Sequence, residues 1–356
     1  MSGAVDWGVA ERVALVVAGR EPFAASYHAE SLEPDFAELT AIAEELVAQT
    51  TGLRSLAGPA RARVTDRSGW VHANVASFQR LLRPVLDRFG DKMSSSPLAP
   101  ITRRAAGAEV GALLGWMSTR VLGQYDLLVI EDEDPQNQDL VYYVGPNVLA
   151  LEKLFAFPPR EFRLWLALHE VTHRAQFTGV PWMREHFLGL VRQVVDSVDP
   201  DPQRFADALE RLVRSARAGE NPLADGGIAT LVASKEQRAV LDQVSGLMSL
   251  LEGHGDVTMD RAGEGHIPSA ERFGRVLRQR RQQANVAVRL LQQLLGLEAK
   301  LNQYAQGEAF IAAVEEVGGT DLLDRVWESP ALLPTLVEIR QPGTWIERVG
   351  PTALAS

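Results

Sequence analysis

"LALHEVTHRAQFTGVPW", residues 166–182, carries His169, Glu170 and His173 in the spacing HExxH. Histidines four residues apart share one face of an α-helix and can converge on a single ion. A glutamate one position after the first histidine lies about 100° around the axis, which places its carboxylate beside a metal-bound water rather than among the ligands. That arrangement suits a general base. The bland alternative is a pair of inward histidines satisfied by hydrogen bonds, with Glu170 on a solvated edge.

The surrounding residues predict a helix over 158–178. Pro158 and Pro159 suit a first turn, where a missing N–H is harmless, and Glu161 complements the positive helix end. Gly179 is expected to end the helix in the left-handed conformation, and Pro181 blocks continuation. Phe162, Trp165, Leu166, His169, Thr172, His173 and Gln176 recur at steps of three and four, so the histidines extend a buried apolar face.

The chain of 356 residues contains no cysteine and 7 histidines. Disulfides, thiolate zinc sites and cysteine nucleophiles are excluded, so any metal is held by His and carboxylates. A net charge of −10 spread along the chain argues against nucleic-acid binding. No stretch reaches the roughly 18 uninterrupted apolar residues of a membrane span. Asp6 and Glu11 precede the apolar run Val13–Ala18 where a signal peptide would carry Lys or Arg, so this segment reads as an amphipathic helix of a cytoplasmic protein.

Catalytic zinc takes three protein ligands and keeps a fourth position for water. The metzincin pattern is disfavoured, because Gln176 and Gly179 stand where Gly and a third His are required. Downstream, "LMSLLEGHGDVTMD", residues 247–260, closes a predicted helix over 236–252. Its Glu252 and Asp256, four apart, match the E-x-x-x-D arrangement of gluzincins, in which the Glu binds zinc and the Asp holds a ligating histidine. Glu252 is the first candidate for the third ligand and His254 its rival. If Glu252 binds, His254 is free to donate to the transition state, as are His266, Tyr142, Tyr143 and Arg184. Gly253 and Gly255 are expected to let this helix approach the HExxH helix.

The rest of the chain reads as mainly α with a small sheet (α+β). Further helices are expected over 181–198, 201–218 and 269–300, with "WVHANVASFQRLLRPVLDRFG", residues 70–90, interrupted at Pro84. Gly107, Gly111 and Gly115 at four-residue spacing point to close helix packing. "YDLLVIE", residues 125–131, and "LVYYVG", residues 140–145, read as neighbouring strands, and no other strand is evident. "MSSSPLAP", residues 93–100, and "AGENPLADGG", residues 218–227, read as loops, and the tail after Ser329 as irregular. The expected division is an N-terminal helical region, 1–124, and a catalytic region, 125–356.

"HEVTHRAQFTGVPWMREH" together with "EGHGDVTMD" resembles a bacterial family of zincin-like hydrolases of unassigned substrate, found largely in actinobacteria and often named for an association with biosynthesis of the deazaflavin coenzyme. The likeness covers the whole layout of the chain. It implies a mainly helical zincin-like fold with a small sheet on the HExxH helix, zinc on His169 and His173, and Glu170 as the catalytic glutamate. Residues 174–251 separate His173 from Glu252, a longer connection than in thermolysin-like enzymes.

The expected activity is therefore zinc-dependent amide hydrolysis of a peptide. A metal-dependent hydrolase of a small metabolite, and a noncatalytic helical interaction protein with structural zinc, are the alternatives. In either hydrolase, Asp256 would orient His169 or His173 through the imidazole nitrogen that does not face zinc.

Overall fold

Leu140–Val144 form the middle strand of the sheet because four of the five residues are buried, with Leu140 and Val141 followed by Tyr143 and Val144. A computed structural model describes residues 5–23, 26–93, 99–125, 127, 139–197, 235–282 and 297–350. Among these, helices dominate: α1 (Trp7–Ala18), α2 (Tyr27–Glu30), α3 (Leu32–Thr51), α4 (Arg67–Met93), α5 (Ala99–Ser118), α6 (Gly145–Phe155), α7 (Pro159–Gly179), α8 (Met183–Ser197), α9 (Lys235–Gly263), α10 (Ala270–Gln282), α11 (Leu297–Asp324), α12 (Leu336–Arg340) and α13 (Pro342–Val349). The strands are β1 (Arg61–Thr65), β2 (Gly123–Tyr125) and β3 (Leu140–Val144), in the order β1-β3-β2. β1 runs parallel to β3, pairing Arg61 with Leu140, and β2 runs antiparallel, pairing Gly123 with Tyr143.

Two compact units are separable, Met1–Pro181 with Thr258–Phe273, and Trp182–Val257 with Gly274–Ser356. In the first, α3 and the sheet pack on α7, and α1 lies along α5. The glycine spacing in α5 has the expected cause. A Cβ at Gly107, Gly111 or Gly115 would fall within 2.5 Å of the carbonyl oxygen of Asp6, Ala10 or Ala14, so the two backbones touch at three successive turns. In the second, Leu250, Phe310, Ile311, Val314, Val326 and Trp345 form a buried core.

Several expectations are corrected. β1 escaped notice because "RARVT" places Arg at alternate positions of a five-residue strand. Of the two described residues of "YDLLVIE", Tyr125 lies in a strand and Leu127 does not; residues 126 and 128–138 are outside the described residues, as are 94–98 and 198–234, with the expected helix 201–218 and loop 218–227. Helix α4 runs through Pro84 without ending, and Ala99 and Pro100 begin α5. Residues 330–350, the described part of the tail after Ser329, form short helices, and Thr335 caps α12 in a reciprocal pair with Glu338. The helix expected to close near Glu252 continues three turns to Gly263.

Candidate metal centre

From Phe162 to Phe177 every residue of α7 is buried except His169 and His173, which are half-buried. The two histidines are thus the most exposed positions in this stretch. Pro159 opens the helix at its first position, and the Glu161 carboxylate accepts the Ser269 N–H at 2.8 Å. At the other end Gly179 remains helical and Val180 leaves in an extended conformation, so no left-handed cap is present. Glycine is required there for another reason: a Cβ would stand 2.9 Å from the Arg54 carbonyl oxygen.

A helix buried on all sides can carry arginines only if they are paired. Arg163 donates to both Glu152 oxygens, at 2.8 and 3.0 Å, and to Asp35 and Ser31. Arg174 donates to Asp139 at 2.6 Å, to Glu44 at 2.7 Å and to the Gly58 carbonyl at 2.8 Å. Both guanidinium groups lose solvation on burial, yet these partners outweigh that loss and hold their pKa above the usual value.

The imidazole Nε2 atoms of His169 and His173 face each other at 3.2 Å. Two nitrogens bound at about 2.0–2.1 Å to one tetrahedral zinc stand about 3.3 Å apart, so this spacing fits a shared ion. His173 Nδ1 lies 3.0 Å from Gln176 Oε1, which accepts the Nδ1 proton and leaves Nε2 as the lone-pair nitrogen. The sequence places Gln176 on the histidine face of the helix and outside the metzincin pattern; its i+3 spacing from His173 is the signal for this hydrogen bond.

Glu252, the first candidate for the third ligand, lies on α9. Glu252 is buried, at 4% exposure. Two nitrogens and a carboxylate oxygen, with no thiolate, form a donor set suited to zinc with one position open.

Glu170 is also buried, at 8% exposure, which disposes of a solvated edge. Its Oε2 accepts the Tyr125 N–H at 3.1 Å. β2 therefore lies directly over the carboxylate.

The remaining candidates separate. Because α9 is helical throughout, His254 lies about 200° around the axis from Glu252. Its ring meets the Trp327 ring edge-on at 5.0 Å. Asp256, four residues on, shares the Glu252 face. Gly253 does not serve the HExxH helix as expected. It touches Gly307 of α11, where a Cβ would fall 2.4 Å from the Gly307 carbonyl carbon.

Tyr143 is an interior strand residue. Its ring stacks on Phe36 at 3.8 Å, its hydroxyl bonds Thr40 at 2.8 Å, and burial raises its pKa. His266 is exposed in the turn after α9, and burial lowers the pKa of His186, whose ring meets Trp182 at 5.9 Å.

This architecture is shared with known proteins. The chain belongs to the zincin-like metallopeptidase family, which it matches over residues 5–346. Membership implies a bound metal, typically zinc. A crystal structure from Chloroflexus aurantiacus, described provisionally as a hydrolase with a novel fold, is similar at 31% identity and a TM-score of 0.71, covering 98% of this chain and 99% of that one. No curated protein matches the sequence. No helix among the described residues is long and apolar enough to cross a membrane.

Proposed function

We propose that the protein is a zinc-dependent metallopeptidase, with His169, His173 and Glu252 as the ligands and Glu170 as the general base. The observation that carries this reading is the opposition of the His169 and His173 Nε2 atoms at 3.2 Å, at the two half-buried positions of an otherwise buried stretch, Phe162 to Phe177. Zinc bound there supplies Lewis acidity, lowering the pKa of water to about 7 and polarising the scissile carbonyl.

The protein's own groups supply the remainder. Gln176 holds the His173 tautomer. Asp256 orients a ligating imidazole from the Glu252 face of α9, and His254 is left outside the ligand set. Glu170 takes a proton from the attacking water as its oxygen bonds the carbonyl carbon. The same carboxyl then returns that proton to the amide nitrogen as the C–N bond breaks. A peptide is the substrate favoured by β2, a sheet-edge strand beside Glu170 along which an extended chain can align.

Metal analysis combined with a peptide-library assay tests this. Wild type is expected to bind about one zinc per chain and to cleave peptides. Glu170→Gln should retain the metal and lose hydrolysis, and Glu252→Ala should lose both. Zinc-loaded wild type that is inert on a broad peptide library, while turning over a component of a metabolite extract, would replace the peptidase reading with that of a small-molecule hydrolase.

A further inference from the structure

We propose that β2 is the seat of the general base: Gly123 and the backbone amide of Tyr125 are positioning residues that fix the Glu170 carboxylate for proton transfer. The inference rests on the metallopeptidase reading above, and its geometry stands on three observations within one unit of the protein.

The first is steric. A Cβ at Gly123 would lie 2.7 Å from Glu170 Cγ, 2.8 Å from Oε1 and 2.9 Å from Cδ. All three nearest atoms belong to the Glu170 side chain. Any residue larger than glycine therefore displaces Glu170 itself, and because a glutamate swings away by torsion, the strand need not unfold to accommodate it. This glycine is required by a close approach, since its φ lies outside the left-handed region.

The second is polar. Tyr125 N–H donates to Oε2 at 3.1 Å, which pins one oxygen of the carboxylate that Gly123 makes room for.

The third is the anchorage of β2. Gln124, between the two, is held from α4: its Oε1 accepts the Trp70 indole N–H at 2.8 Å and its Nε2 donates to Asn74 Oδ1 at 3.3 Å. Tyr125 is held at its far end, where the phenol donates to Asp139 Oδ1 at 3.2 Å and Asp139 is bound by Arg174. Glu170 and Arg174 are one turn apart on α7, so the same helix grips Tyr125 by its amide and, through Asp139, by its hydroxyl. An anchored strand with a gap in it is a positioning device. Misplacement of a catalytic group by about 1 Å costs on the order of 100-fold in rate.

The test uses the zinc-loaded full chain. Gly123→Ala is expected to keep the wild-type zinc stoichiometry and circular dichroism, to lower kcat on a cleaved peptide by about 100-fold with little change in KM, and to accelerate hydrogen exchange at the Tyr125 amide by about 10-fold or more while β3 amides are unchanged. Should Gly123→Ala fail to fold, Tyr125→Phe adds no atom and cuts the tie to Asp139; faster exchange at the same amide and a smaller loss of kcat are expected. Unchanged exchange at Tyr125 in a folded variant overturns the proposal, as does accelerated exchange with kcat within twofold of wild type. A wild type that cleaves no peptide defeats the metallopeptidase reading instead, and Tyr125 exchange, which needs no substrate, then still decides whether Gly123 seats Glu170.

Discussion

Arg174 and Asp139 form a nearly enclosed ion pair in which the guanidinium, 1% exposed, donates from two nitrogens to a carboxylate 18% exposed. Glu44 at 2.7 Å and the Gly58 carbonyl at 2.8 Å complete its partners. One side chain thereby ties α3, the segment before β1 and the segment before β3 to the HExxH helix.

Removing that guanidinium leaves two carboxylates without their cation. Arg174→Met is expected to destabilise the protein by about 3 kcal/mol, the low end for a broken buried pair because the acids retain some water. Urea unfolding measures it. Arg160→Met, which breaks a pair with Glu38 on the solvated surface, should leave the midpoint where it was. Equal midpoints for the two variants would show that Arg174 is not a structural tie.

Alanine usually stabilises a helix relative to glycine by about 1 kcal/mol. At Gly111 the sign should reverse, because the new Cβ would meet the Ala10 carbonyl oxygen at 2.2 Å and backbone cannot swing aside as a side chain does. Gly111→Ala is expected to destabilise by about 2 kcal/mol, within the range for overpacking. At Gly343 in α13 nothing lies within 4 Å, and the same substitution should be neutral or stabilising. Thermal melts of both variants check the pair.

Gln176 is expected to matter to the metal without touching it. Loss of the acceptor on His173 Nδ1 frees the ring and its tautomer, so Gln176→Ala should weaken zinc binding about 10–100-fold, whereas Gln176→Glu retains an acceptor and tight binding. Competition against a chromophoric chelator reads the affinity directly. Alanine and glutamate variants of equal affinity would rule out this role.

Glu338 gives a pH signature. Burial works against its ionisation, but hydrogen bonds from Arg348, at 2.7 and 3.0 Å, and from Thr335 outweigh it and hold the carboxyl below its ordinary value of 4.5. With the folded pKa depressed, the unfolded chain binds the proton first. The stabilisation is then complete above about pH 4.5 and is lost as pH falls through the folded value. The difference in melting temperature between wild type and Glu338→Gln should therefore be largest at neutral pH and shrink on acidification below that point. A difference independent of pH would show that Glu338 contributes by shape alone.

The HExxH helix was legible because its signals are local: proline at its start, acid in its first turn and a single apolar period. The strand 140–144 was legible because its apolar residues are contiguous. The partners of Arg163 and Arg174 were not, since Asp35, Glu44 and Asp139 are distant in sequence and only the fold brings them in. Gly123 was invisible for the same reason, its role being defined by the side chain it leaves room for. The continuation of α9 beyond Glu252 was obscured by Gly253 and Gly255, poor helix formers of which Gly253 is required by a helix crossing. The cap at Thr335, by contrast, is a readable T-x-x-E pattern that was passed over.

The chain leaves its first unit at Pro181 and rejoins it from Thr258 to Phe273. During synthesis, everything that precedes the HExxH helix emerges before that unit can close, because its last segment lies beyond the whole of residues 182–257. Amino-terminal fragments ending at Pro181 therefore lack a piece of their own core, including Met259, Ala262 and Ile267. Completion of the HExxH helix's surroundings is a late event on the ribosome, so a stalled or prematurely cleaved chain exposes apolar surface instead of yielding a smaller folded unit.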